Sequence, residues 1–330
     1  MPEAAIRCHA SPAEGMGHVF RQLHVAKLLR DRGLALTFFI PEHSPSIGLL
    51  RREDFVPRIV EPHQGFPPGV TEKFDLVIVD LRDTTPEFIK GLRNHARRIA
   101  SFEDLGEGRN HVDLLIDSNL EPAKGREVPS RVKPLFGLPY CVLAPVFDKA
   151  HRRTKSFSGK PRSVLVTMGG TDPNNLTLRL AKIFLDGDTD ISFTFLAGPG
   201  FPHKPALMKL ASATKSFRVV CSAPHTAELL FDHDAVFCSG GITLQEALAV
   251  GTPAFVISQV PHQAEKTKPM EEAGAAVYLG AAQNFRQENI HALLNIGGER
   301  LEAMSRVGKN LVDGRGIYRV ADQLQSLMEA

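Results

Sequence analysis

A histidine that follows two glycines is the first candidate for chemistry in this sequence. Gly15, Gly17 and His18 lie between an apolar run and a helix-like segment, within residues 14–29. Glycines permit a tight turn and the close approach of a ligand, and a helix N-terminus offers unpaired N–H groups to an anion. A histidine at this point is suited to general-base catalysis near neutral pH. A purely structural role at the helix start fits the pattern equally well.

A second glycine turn lies in the middle of the chain, within residues 164–177. Gly170 permits the turn after a strand-like run, Thr171 and the backbone N–H groups can hold phosphate oxygens, and Asn174 can start the next helix. The alternative is a well-capped strand-to-helix turn without a ligand.

A third turn, within residues 237–257, predicts another anion cradle. Its candidate residues are Ser239, Gly240, Gly241 and Thr243. Glu246 follows one helical turn later, where a carboxylate can accept hydrogen bonds from the paired hydroxyls of a ribose. The alternative for Glu246 is a solvated acidic side chain in the first turn of a helix.

A fourth segment, residues 258–267, adds His262, Gln263 and Lys266 as candidate ligand contacts at another helix start. For Lys266 a solvated surface position is the alternative. No metal site is expected: Asp186, Asp188 and Asp190 lack the following Gly and Glu of an EF-hand loop. No Gly-x-Gly-x-x-Gly follows the first strand, which disfavours a nicotinamide cofactor, and we predict no cofactor.

These turns need a framework, and the sequence predicts two α/β domains. Short apolar runs alternate with amphipathic helices, which is typical of parallel sheets covered on both faces. The predicted strands are 5–9, 34–40, 76–80, 99–102 and 114–117, then 163–168, 192–196, 218–221, 236–238 and 254–257. A basic linker at 148–162 separates domains 1–150 and 151–330, with the ligand expected between them at the carboxyl ends of the strands. The last helix, 316–328, is expected to pack back on the first domain.

Composition narrows the class of protein. A chain of 330 residues is long enough for two domains, and 43% hydrophobic with 23% charged residues is ordinary globular composition. A net charge of +2 disfavours nucleic acid as a partner. The four cysteines lie in or beside apolar runs without CxxC spacing, which favours reduced thiols. With neither a signal peptide nor a membrane-spanning run in view, we expect a cytoplasmic protein with a small-molecule substrate.

The motifs GMGHVFR, VTMGGTDPNNLT and SGGITLQEALAVGTP, followed by HQ, resemble one known family in this order. They are similar to the UDP-sugar hydrolases of the pseudaminic-acid pathway and their spore-coat-polysaccharide relatives, within the GT-B superfamily. FEDL, IDSN and the closing DGRG also have counterparts. The resemblance implies a GT-B fold with two Rossmann-like domains and a ligand cleft between them.

The resemblance also implies a reaction: metal-independent, inverting removal of UDP from an amino-deoxy sugar nucleotide by water. His18 matches the essential histidine, and Gly241, Thr243 and Glu246 match the segment that binds diphosphate and ribose. Arg21, in the first motif, is assigned to substrate contact on the same basis. Two alternatives remain: a glycosyltransferase with a UDP-sugar donor, and a nucleotide-sugar binding protein without turnover.

The sequence departs from the family where family members shape the sugar pocket. His9 follows Arg7 at a position where the family commonly has Asp, and the run LAPVF has Ala144 and Val146 in place of an Arg and an acidic residue. The nucleotide part of the resemblance is therefore better supported than the sugar part.

Overall fold

The computed structural model describes residues 1–9, 16–119, 127–187, 190–198, 200–221, 223, 226–285 and 288–329. The chain forms two compact units: unit 1 is Met1–Ala144 with Arg315–Ala330, and unit 2 is Pro145–Gly314. The division therefore falls at residue 145, a few residues before the expected boundary at 150. The first part of the expected linker is helical, because Val146–His151 forms a short helix.

The described strands and helices alternate along most of the chain. The strands are β1 Glu3–Cys8, β2 Ala35–Ile40, β3 Arg58–Ile59, β4 Phe74–Asp80, β5 Ala96–Phe102, β6 Leu114–Asp117, β7 Lys133–Phe136, β8 Ser163–Thr167, β9 Ser192–Leu196, β10 Phe217–Val220, β11 Ala235–Cys238, β12 Ala254–Ser258 and β13 Ala276–Ala281. The helices are α1 Gly17–Asp31, α2 Ser44–Arg52, α3 Pro86–Arg93, α4 Val146–His151, α5 Leu176–Leu185, α6 Lys204–Ala211, α7 Thr226–Asp232, α8 Ile242–Val250, α9 Pro261–Glu272, α10 Glu288–Leu293, α11 Gly298–Leu311 and α12 Gly316–Glu329.

Unit 1 is built on a seven-stranded sheet in the order β3-β2-β1-β4-β5-β6-β7, and its strand pairs are parallel. Successive side chains of a strand point to opposite faces. In β4, Leu76 and Ile78 accordingly join the core formed with α1, α2 and α12, while Val77 and Val79 join the core formed with α3. Both faces are covered, which explains the nearly continuous apolar runs. The last helix of the chain completes this first unit.

Unit 2 has a six-stranded parallel sheet in the order β10-β9-β8-β11-β12-β13. Phenylalanine side chains fill much of its core; the rings of Phe184 and Phe193, for example, stack with centroids 4.2 Å apart. In both sheets the strand order reverses near the centre, between β1 and β4 in unit 1 and between β8 and β11 in unit 2. Open α/β sheets bind ligands at such switch points.

The ten predicted strands are all present, with ends within three residues of the prediction. The prediction missed β3, β7 and β13, and all three are edge strands. Edge strands have one free side and tolerate Pro, Gly and polar residues. β7 reads KPLF and β13 contains Gly280, so neither carries the continuous apolar signal of the central strands. Among the described helices, none is long and apolar enough to span a membrane.

Candidate functional site

The switch point of unit 1 brings His18 onto a buried aspartate. His18 lies in the first turn of α1, just beyond β1, and Asp80 is the last residue of β4, the neighbouring strand. His18 Nδ1 lies 2.6 Å from Asp80 Oδ1. An ionised carboxylate only accepts hydrogen bonds, so Nδ1 carries a proton, and in the neutral imidazole Nε2 keeps its lone pair. His18 is therefore held in the tautomer that a general base requires.

Asp80 is fully buried and accepts hydrogen bonds from three side chains of α1. Besides His18, Arg21 donates through Nε at 2.9 Å and Nη2 at 2.7 Å, and Gln22 donates through Nε2 at 2.7 Å. Burial by itself would raise the pKa of Asp80, but the charges and hydrogen bonds of Arg21 and His18 outweigh it and hold the pKa well below its usual range. Asp80 is therefore a carboxylate at neutral pH.

Arg21 is also buried, and its second partner is Glu103, the first residue after β5. Arg21 Nη1 lies 3.1 Å from Glu103 Oε1, and the Ser118 hydroxyl donates to the same oxygen at 2.7 Å. Burial lowers the pKa of Arg21, but the carboxylates of Asp80 and Glu103 raise it above its ordinary value. The sequence assigns Arg21 to substrate contact, whereas the structure gives its guanidinium two internal carboxylate partners. Arg21 therefore holds Asp80, and its contact with substrate stays a prediction.

A small pocket of unit 1 borders this ion pair. It is lined by Arg21, Phe102, Glu103, Ile116, Ser118, Tyr140 and Val142. Asp104, which follows Glu103, fixes the loop after β5. Its carboxylate accepts hydrogen bonds from the backbone N–H groups of Thr84 and Gly106, at 3.1 Å and 2.9 Å.

In unit 2, three predicted ligand-binding turns follow β8, β11 and β12, which are adjacent strands of one sheet. Gly169, in the first turn, has a φ of +86°, a conformation that favours glycine. The second turn packs against α9, since a Cβ on Gly240 would lie 2.5 Å from Thr267 Oγ1. The turns therefore share the carboxyl edge of the sheet, as the sequence predicts.

The candidates of the first and third of these turns are linked by Gln259. Asn174 Nδ2 donates to the Gln259 backbone oxygen at 3.1 Å, and Gln259 Nε2 donates to the Met168 oxygen at 2.7 Å. The Gln263 side-chain oxygen accepts from the Gln259 N–H at 2.8 Å. Asn174 and Gln263 were assigned to ligand contact, and the structure gives both of them bonds that fix the turns. Gly170 is exposed and Thr171 is half-buried, so both remain candidate ligand contacts.

Asp172 fixes the start of α5. It is buried, has a φ of +46°, and accepts hydrogen bonds from the N–H groups of Leu176 and Thr177 at 2.9 Å and 2.8 Å. We expect Asp172→Ala to lower the free energy of unfolding by about 1–2 kcal/mol, because the helix start loses its cap. Urea unfolding measures this. Asp186→Ala, at the exposed C-terminal end of the same helix, is the control and should change stability little; equal losses in both variants would contradict the capping role.

Glu246 lies in the middle of α8 and is half-buried. Burial raises the pKa of its carboxyl group to about 7. Within the described part of the chain, no hydrogen bond or ion pair to this carboxylate is recorded. Of the other candidates, Ser239 is buried, Gly241 and Thr243 are half-buried at the start of α8, and His262 and Lys266 are half-buried in the first turns of α9. Gly17 is exposed at the start of α1, and Gly15 lies outside the described residues.

A comparison with models of known protein families finds no match. The chain is 29% identical over 330 residues to the spore coat polysaccharide biosynthesis protein SpsG of Bacillus subtilis, covering 96% of each chain. It is 24% identical over 266 residues to the UDP-2,4-diacetamido-2,4,6-trideoxy-beta-L-altropyranose hydrolase of Campylobacter jejuni, covering 78% of this chain and 92% of that one. The resemblance inferred from the motifs is confirmed.

The crystal structure of Acinetobacter baumannii MurG superimposes with a TM-score of 0.70 at 16% identity, covering 98% of this chain and 100% of that one. The chain has the GT-B fold. Its two parallel sheets of seven and six strands are the two halves of that fold. His18 and its partners Arg21, Asp80 and Glu103 belong to the first half, and the glycine turns described for unit 2 belong to the second. Among the described residues, no group of three or more His, Cys, Asp or Glu side chains is arranged to hold a metal ion.

Sequence reasoning missed two residues of this candidate site, Asp80 and Glu103. Each is the polar residue at the carboxyl end of an apolar strand, in FDLVIVD and in ARRIASFE. That position is a usable signal, since strand ends at a switch point carry ligand-binding and catalytic groups.

Proposed function

We propose that this protein is a nucleotide-sugar enzyme of polysaccharide biosynthesis that removes UDP from a UDP-amino-deoxy sugar by inverting hydrolysis. One observation carries the proposal: His18 is held by the buried carboxylate of Asp80 with its Nε2 lone pair available as a base. A water molecule needs such a base to attack a sugar carbon.

His18 acts as the general base of this reaction. His18 Nε2 takes a proton from water, the water oxygen forms a bond to the anomeric carbon, and the bond from that carbon to the diphosphate oxygen breaks. The bonding electrons leave with UDP, whose negative charge suits the N–H groups at the start of α8. Attack opposite to the leaving group inverts the anomeric centre, and the products are UDP and the free amino-deoxy sugar.

The UDP assignment is supported by the glycine turns of unit 2 and by Glu246. Helix N-termini that follow glycine turns suit phosphate groups, and a half-buried carboxylate suits the two hydroxyls of a ribose. The two relatives add the substrate class: one is named for spore coat polysaccharide biosynthesis and the other for hydrolysis of a UDP-diacetamido sugar.

A glycosyltransferase that uses a UDP-sugar donor is the second candidate. The same histidine and aspartate can remove the proton of an acceptor alcohol as readily as that of water. The two candidates therefore differ in the nucleophile rather than in the base.

The deciding experiment incubates the purified protein with a panel of nucleotide sugars in water alone, then with alcohol acceptors. We expect UDP release with equimolar free sugar in water alone, and an inverted anomer by NMR directly after turnover. Turnover that requires an acceptor would replace the hydrolase with the transferase. Tight UDP binding without turnover under either condition would leave only a binding protein.

Glu246→Gln should weaken UDP binding by about 1.5–3 kcal/mol at pH 8, because a charged acceptor for the ribose hydroxyls is lost. The pKa of Glu246 is about 7, so the carboxylate forms as the pH rises from 6 to 8. The ratio of wild-type to variant affinity, measured by calorimetry, should therefore increase over that range. The ionisation of UDP itself cancels in the ratio. Glu265→Gln, on the exposed face of α9, is the control; a ratio that does not change with pH would remove Glu246 from the site.

A further inference from the structure

We propose that Glu103 is a positioning residue for His18 that acts through Arg21, by engaging the guanidinium so that Asp80 keeps negative charge for the imidazole. The proposal rests on the proposed function for its catalytic meaning. It concerns a chain of contacts from Ser118 through Glu103, Arg21 and Asp80 to His18.

His18 and Arg21 share one oxygen of the Asp80 carboxylate. Asp80 Oδ1 accepts from His18 Nδ1 at 2.6 Å and from Arg21 Nη2 at 2.7 Å. An arginine paired with Asp80 alone would neutralise the carboxylate and weaken its hold on a protonated imidazole. Glu103 contacts the other guanidinium nitrogen, Nη1, at 3.1 Å. The positive charge of Arg21 is therefore shared between two carboxylates.

His18, Arg21, Asp80 and Glu103 form one cluster of charged side chains. Asp80 and Glu103 are acidic and Arg21 is basic, so with a neutral His18 the four side chains carry one net negative charge. When His18 takes a proton, the cluster becomes neutral. The side chains of Arg21 and Glu103 are only 9% and 15% exposed and that of Asp80 is fully buried, where charges interact more strongly than in water. Transfer of a proton to His18 therefore leaves these four side chains without net charge.

The backbone of Glu103 has a φ of +46°. A non-glycine residue rarely adopts this left-handed conformation, and such residues concentrate at functional sites. Its N–H group donates to the Ile116 oxygen at 2.8 Å, and the Ser118 hydroxyl holds its carboxylate. The loop is thus fixed in an uncommon conformation in which the Glu103 carboxylate reaches Arg21.

Other groups around the cluster do not replace this charge. Cys8, on β1, also interacts with Asp80, and burial raises the pKa of its thiol far above neutrality, so the thiol supplies no negative charge. Gln22 contributes an uncharged amide. Glu103 is therefore the second carboxylate, beside Asp80, that balances the charge of Arg21.

The test is an NMR titration of the His18 imidazole in the free protein, with its signal assigned from a His18→Asn sample. Glu103→Gln should move the titration midpoint of His18 to lower pH, since a negative charge beside the cluster is lost. Glu107→Gln removes the same charge from an exposed position four residues on and should leave the midpoint unchanged. Glu103→Asp keeps the charge, so the midpoint of His18 should stay close to its wild-type value. Equal midpoints in the Glu103→Gln, Glu107→Gln and wild-type proteins would overturn the proposal.

A second measurement uses the wild-type protein, in case Glu103→Gln does not fold. The side-chain carboxyl carbon of Glu103 should show an inflection at the His18 midpoint, because the two groups are coupled through Arg21. Its absence would overturn the proposal. In turnover, Glu103→Gln should lower kcat about three- to tenfold with KM nearly unchanged. If no nucleotide sugar is turned over but the midpoint still moves, the proposed function fails and the positioning role of Glu103 stands.

Discussion

Replacing His18 with asparagine should lower the rate of UDP release by about 100-fold or more and leave the affinity for UDP nearly unchanged. General-base catalysis contributes factors of about 10²–10⁴, and asparagine cannot accept the proton of water. Asparagine can still donate an amide hydrogen bond to Asp80, so the packing at the start of α1 is kept. Steady-state kinetics gives the loss in kcat, and calorimetry with UDP gives the affinity.

His24→Asn is the control for this prediction. His24 lies in the same helix, and burial lowers the pKa of its imidazole to about 4, so it is a poor candidate for a base. If His18→Asn retains near-parent rates, His18 is a structural residue at the helix start. If both variants lose activity to the same extent, the loss comes from damage to α1 and the base assignment fails.

Asp80→Asn should affect stability and turnover together. Removing one partner of a buried ion pair costs about 3–5 kcal/mol, and here Arg21, His18 and Gln22 all lose a charged carboxylate as acceptor. The imidazole also loses its fixed tautomer, so kcat should fall by about 100-fold or more at temperatures where the variant is folded. Urea unfolding and kinetics at low temperature measure the two effects separately.

Asp75→Asn is the matched control, since Asp75 lies on the same strand and its carboxylate accepts an exposed hydrogen bond from the Glu3 N–H group. The pH dependence gives a further check. The folded pKa of Asp80 lies below its ordinary value, so its contribution to stability is present above about pH 4 and is lost as the pH falls below that. Asp80→Asn should lack this acid-side loss. A variant with wild-type stability and turnover would remove Asp80 from the cluster.

The sequence by itself determined the local features of this protein. The alternation of apolar runs and amphipathic helices predicted ten of the strands, because periodicity is a property of neighbouring residues. The glycine turns before α1 and α8 and the position of His18 were visible for the same reason. The edge strands β3, β7 and β13 were missed because an edge position relaxes the apolar requirement that makes a strand visible.

Only the tertiary structure decided which side chains meet. His18 and Asp80 are 62 positions apart in the chain and touch because β1 pairs with β4. The same pairing places Arg21 against Asp80, and the adjacent strand β5 brings Glu103 to the other side of the guanidinium. Spacing along the chain cannot show this, because the order of strands in a parallel sheet is set by the packing of the whole unit rather than by any local pattern. The residue that can act as a base is therefore local information, and the carboxylates that orient it are not.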